Sequence, residues 1–124
     1  MTDKELLELA AKAAAITCSW AHADEADYSA STEGMWRNGE RSPNNSKFWN
    51  PLTDDGDSLR LAVKLGMDVC IDTPQENEPG THAIAFVGSG ADTVDAVELH
   101  GSDPYAATRR AIVRAAAAIG KAMP

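Results

Sequence analysis

The stretch from Trp49 to Val69, WNPLTDDGDSLRLAVKLGMDV, holds a start signal, a body and a stop signal for one helix, and then opens a strand. Pro51 keeps Asn50 extended, so no helix runs in from the N-terminal side. Thr53, Asp54 and Asp55 each offer an oxygen to the free N–H groups of a helix start. Asp54 and Asp57 have the spacing of a capping box, with aspartate in glutamate's place. Three carboxylates in the first turn also complement the positive end of the helix dipole. Leu59, Ala62 and Val63 recur at helical spacing and predict the buried stripe, which Leu61 and Leu65 broaden; Arg60 and Lys64 fall on the wetter side. Gly66 is placed to take positive φ just past the C-terminus. Met67 to Ile71, bounded by Thr73-Pro74, reads as a short strand. The DDGD cluster invites a metal reading that its spacing does not support. The twelfth position from Asp54 is Leu65, where a calcium-binding loop needs a bidentate glutamate. Capping is the expectation.

Upstream, T-x-x-E at Thr2–Glu5 is a capping box that opens a helix from about residue 3 to 15, with Leu6, Leu9, Ala10 and Ala13 on one face. Ile16, Cys18 and Trp20 then alternate with Thr17 and Ser19, as in a half-buried strand. Residues 21–48 are acidic, small and weakly patterned, which predicts a polar loop excursion. Tyr28 is the only large apolar group in its first part. Asn38-Gly39, between Trp36-Arg37 and Glu40-Arg41, carries the signal of a short hairpin, with Trp36 or Phe48 docking on the core. This excursion is the leading recognition surface, and Tyr28, Trp36, Arg37 and Phe48 are its candidate protein-binding residues.

Downstream, 67–73, 81–87 and 93–99 read as an antiparallel meander joined by short turns. The change of phase between Val94/Ala96 and Val97/Leu99 points to a bulge. Gly88-Ser89-Gly90 leads into a strand and lacks a P-loop lysine, so its glycines are turn residues. Asp103-Pro104 opens the closing helix, whose stripe is Ile112, Val113, Ala116 and Ile119, and which Gly120 and Pro124 end.

A chain of 124 residues with net charge −8 fits one domain able to bury its own core. Its acidity argues against direct nucleic-acid binding, which needs basic surface. Residues 104–124 carry Arg109, Arg110, Arg114 and Lys121 with no acid, whereas the remainder holds 7 basic and 19 acidic residues. That asymmetry is read as internal charge complementarity, with an anion site at Arg109, Arg110 and Arg114 as the alternative. Cys18 and Cys70 lack metal or redox spacing and are expected as buried free thiols. TDKELLEL has no signal-peptide pattern and no apolar run reaches membrane-spanning length, so a soluble cytoplasmic protein is expected. His22, His82 and His100 form no known catalytic set, although His82 and His100 would approach if their strands paired. No catalytic residue, metal or cofactor is implied.

Two blocks, WNPLTDDGDSLRLAVKLGMDV and HGSDPYAATRRAIVRAAAAIG, together with the opening TDKELLELAAKAA, resemble small bacteriophage-encoded proteins of the NinX-like and phage ABA-sandwich families. The resemblance implies a phage or prophage origin and an accessory role, and supplies no functional residues. The combined expectation is a single α+β domain over 1–124. It has three helices and an antiparallel sheet of about four strands, in the order αβ(ββ)αβββα. Functionally it is a non-enzymatic phage accessory protein that binds a host protein, such as an anti-defence inhibitor of the anti-CRISPR type. The alternative is a binder of a small anionic ligand such as a nucleotide signal. Homo-oligomerisation is left open.

Overall fold

The computed structural model describes residues 1–21, 34–37, 48–72, 80–88 and 93–124. The order of elements is α1 (Asp3–Ala13), β1 (Cys18–Ala21), β2 (Gly34–Arg37), α2 (Asp55–Lys64), β3 (Asp68–Asp72), β4 (His82–Val87), β5 (Val94–Leu99) and α3 (Pro104–Ala122). The protein is α+β, as its sequence predicts. The strands divide into an antiparallel pair, β1–β2, and an antiparallel meander, β3–β4–β5.

Each helix starts where its cap is written. The Thr2 hydroxyl accepts from Glu5 N at 3.2 Å while the Glu5 carboxylate accepts from Thr2 N at 3.0 Å, which satisfies two free donors reciprocally. Asp103 accepts from both Tyr105 N and Ala106 N, with Pro104 as the first helical residue. Helices α1 and α2 end alike. Ile16 N donates to Ala11 O and Met67 N to Ala62 O, both at 2.9 Å, the six-to-one bond of a Schellman ending. Gly66 takes the required positive φ without strain. Ala15 takes it at φ 56°, at a steric cost of about 1–2 kcal/mol. Both endings turn the chain straight into a strand.

Helix α3 is the centre of the fold. It packs on α1, on the inner faces of β4 and β5, and on α2. Alanines make this close: Ala83, Ala85 and Ala96 of the sheet and Ala111, Ala115 and Ala116 of α3 are all buried. Gly120 does not end the helix, as its sequence position suggests, but lies buried inside it. A Cβ there would fall on the Leu9 carbonyl of α1, so this glycine sets the crossing of the two helices.

The second half of the core forms around Trp49, Met35 and Leu61. Trp49 N donates to Met35 O at 2.9 Å, which ties β2 to the segment leading into α2. Ile16, Cys18 and Trp20 pack against the core on one side of β1 and its approach. The expected 21–48 excursion thus contains a core strand: Trp36 and Arg37 pair with Ser19 and Cys18 of β1. The Asn38-Gly39 turn lies outside the described residues.

Three expectations are corrected. The stripe of α2 is rotated: Leu61 and Ala62 are buried with Asp57 and Ser58, whereas Leu59 is 64% and Val63 71% exposed. β5 has no bulge, since its register with β4 is continuous from His82↔Leu99 to Val87↔Val94. Ala96 faces α3, and Val97 and Leu99 simply occupy the outer face. Cys70 is exposed and Cys18 only half-buried, where both were expected to be buried. A consequence follows for Leu59→Asp. The variant is expected to fold, losing about 0.5–1 kcal/mol from helix propensity and surface effects. A urea melt checks this, and loss of the native transition would restore the stripe expected from spacing.

Candidate functional site

The site begins with the way α2 is anchored. Asp54 caps the helix by accepting from Asp57 N at 2.7 Å. The Asp57 carboxylate is buried, and it accepts from Asn50 N at 3.0 Å and from Arg60 at 2.8 Å. The capping box is therefore completed by Asn50, seven residues back, and not by the cap residue's own N–H. This pulls Asp57 and Ser58 inward and turns Leu59 and Val63 out.

Arg109 of α3 clamps the same helix start from the other side. Its Nε donates to Leu52 O at 2.8 Å and its Nη1 to Asp55 at 2.6 Å. Between α2, the start of α3 and the inner face of β3 lies an open cleft of about 430 Å³, within the range of small binding pockets. Leu59, Ile71 and Tyr105 give it apolar walls, and Ser58, Thr108, His100 and the Arg109–Asp55 pair supply its polar lining. Ile71 is 55% and Tyr105 69% exposed. Two polar atoms of this lining, Ser58 Oγ and His100 Nε2, are buried and have no hydrogen-bond partner among the described residues. Such groups cost about 1–3 kcal/mol each when left unpaired.

Val63 and Val69 extend the apolar surface beyond the cleft. Val63 lies one turn along α2 from Leu59. Val69 lies two residues from Ile71 on the same side of β3, since its partner Ala85 is buried under α3. Leu59, Ile71 and Tyr105 thus line the cleft, and Val63 and Val69 are exposed on the helix and strand that flank it. Sequence reasoning missed it because it assigned Leu59 and Val63 to the core. The legible signal was an apolar surplus on α2, five aliphatic positions where one stripe needs about three or four per two turns.

The arginines of α3 are brought together with acids. Arg110 lies 3.3 Å from Asp3 and 3.7 Å from Glu98, and Arg114 lies 2.6 Å from Glu98 and donates to Val97 O. The basic helix therefore faces the acidic body at each of its three arginines. Of the expected protein-binding residues, Phe48 is half-buried over Gly34, where a Cβ would meet its ring. Trp36 and Arg37 lie in β2, and Tyr28 is outside the described residues. His82 pairs with Leu99 on the outer face, while His100 lines the cleft on the inner one, so the two do not converge. Among the described residues, no group of three acidic, histidine or cysteine side chains could hold a metal ion, and no helix is long and apolar enough to cross a membrane.

Comparison of the chain with protein-family models, curated proteins and solved structures gives no match. The geometry defines a class all the same: a small acidic α+β domain with an apolar groove between a helix and a strand.

Proposed function

We propose that this chain is a non-enzymatic bacteriophage accessory protein that acts in the bacterial cytoplasm by binding a host protein through the groove between α2 and β3. The observation that carries the binding reading is the exposure of Leu59, Val63, Val69, Ile71 and Tyr105 on α2, β3 and the start of α3, with Leu59, Ile71 and Tyr105 lining one cleft. Apolar surface of this kind marks interaction sites. The phage origin rests on the resemblance of the opening helix, the acidic start of α2 and the closing helix. Inhibition of a host defence protein is one role such a binder fills.

The arrangement of the arginines favours this reading over an anion site. Each of Arg109, Arg110 and Arg114 already meets a carboxylate, and a nucleotide would have to displace these partners. The test is capture from host lysate followed by mass spectrometry, with the wild type beside Leu59→Asp and Tyr105→Ala. A captured protein lost with either variant is the expected result, and capture indifferent to both overturns the groove. A parallel thermal-shift screen against nucleotides addresses the alternative. A ligand at 100 times its dissociation constant would stabilise the wild type by about 2.7 kcal/mol. A shift of that size that disappears in Arg110→Gln/Arg114→Gln would favour the anion reading; a flat screen is expected.

A further inference from the structure

We infer that β3 is a strand-addition edge, and that its occupant is an extended segment of a partner protein with basic residues on one side and apolar residues on the other. The inference rests on the groove being the binding surface and names how that surface is used.

Among the described residues, β3 pairs with β4 alone, and all five of its residues are exposed. Edge strands normally blunt themselves with proline, a bulge, short length or charged side chains, lysine above all. The sequence of β3, Asp-Val-Cys-Ile-Asp, contains no proline or lysine and keeps its two charges at its ends, and its register with β4 runs without a break from Asp68↔Phe86 to Asp72↔His82. Among the described residues, the edge has no bulge and no covering strand, and its central Val69-Cys70-Ile71 carries no charge.

What lies beside it has the shape an added strand requires. Helix α2 packs on α3, on the inner side of the sheet. Its Leu59 shares the cleft with Ile71, and Val63 continues the same exposed face. A strand placed next to β3 turns every second side chain inward, toward the cleft that Ile71 and Leu59 line. Those side chains must be apolar.

The other side of β3 fixes the charge. Asp68, Cys70 and Asp72 face outward, on the side of Phe86, Ile84 and His82. Directly opposed opposite charges stabilise a strand pair and like charges destabilise it, so lysine or arginine belongs across from both aspartates. The same rule selects against a second copy of this chain. Antiparallel pairing of two β3 strands about Cys70 would set Asp68 against Asp72 twice. Charge therefore chooses a basic partner segment, in a mode in which main-chain bonds give affinity and alternate side chains give specificity.

The test uses the full chain, isotopically labelled, and an end-capped peptide Ser-Gly-Lys-Leu-Thr-Val-Lys-Gly-Ser. Controls carry glutamate for both lysines, or N-methyl groups on alternate residues of the central five, in each of the two phases. The lysine peptide is expected to slow amide exchange at residues 68–72 and to bind at least about tenfold more tightly than the glutamate peptide. Asp68→Lys/Asp72→Lys should reverse that preference, and N-methylation should abolish binding in one phase. No binding at about 1 mM, protection located elsewhere, or indifference to N-methylation in both phases overturns strand addition. If lysate capture still depends on Leu59 while 68–72 gain no protection, the groove stands and strand addition falls. If capture ignores Leu59 and Tyr105, the groove reading has failed first.

Discussion

Replacing Trp49 with alanine is expected to remove about 3–5 kcal/mol of folding stability, the range for large aromatic side chains deleted from a core. Trp49 is 1% exposed and is the largest fully buried side chain of the described residues. It also sits at a junction. Its backbone N–H holds β2 through Met35 O, and the next residue, Asn50, donates to the Asp57 carboxylate that anchors α2. The indole thus fills the space where the β1–β2 pair, α2 and the rest of the core meet, and no neighbouring element can move in without breaking one of those bonds. Against a total of about 5–15 kcal/mol for a domain of this kind, that is a large share of the stability. With a urea slope of about 1–3 kcal/mol per molar, the midpoint should fall by roughly 2 M. Trp49→Phe, which keeps most of the apolar volume, should lose much less. A Trp49→Ala midpoint within experimental scatter of the wild type would mean that this part of the core is not closed by the indole.

The elements whose sequence signals are local were legible, and the signals that failed share a cause. Thr2 with Glu5, Asp103 with Pro104 and Gly66 each announce an end through a bond made within a few residues. The phase of α2 was not legible. Its apolar positions outnumber what one face can bury, and the bond that selects the face joins Asp57 to Asn50, outside the helix. β5 misled in the same way: Val97 and Leu99 are as apolar as a core strand's residues yet lie on the outer face. Met35 and Gly34 were hidden because a four-residue strand gives too few positions for a period to appear. Local rules thus misread the chain where apolar side chains stay in water, and one such place is the groove between α2 and β3. Exposure without a structural return is a common mark of a functional surface.

Gly120 poses the opposite problem, a residue whose local preference and tertiary role disagree. In an isolated helix, Gly120→Ala would add about 1 kcal/mol of helix stability. In this protein the new methyl group would fall on the backbone of α1, at the Leu9 carbonyl. A flexible side chain could turn aside, but a helix backbone cannot, so α1 and α3 must separate. Leu6, Leu7, Ala10 and Ala11 of α1 are buried in the core, and even a small shift loosens all four together. Over-packing of this kind costs about 1–3 kcal/mol, and backbone contact places Gly120→Ala at or above the upper end. The expected result is a clear net loss in a urea melt, with amide exchange accelerated in α1 more than in the meander. The exposed Ala118 supplies the internal control. Ala118→Gly should lose about 1 kcal/mol from propensity alone, without selective loosening of α1. A Gly120→Ala variant more stable than the wild type would mean that α1 and α3 do not approach this closely, and α3 would no longer be the element that brings the opening helix onto the sheet's side of the fold.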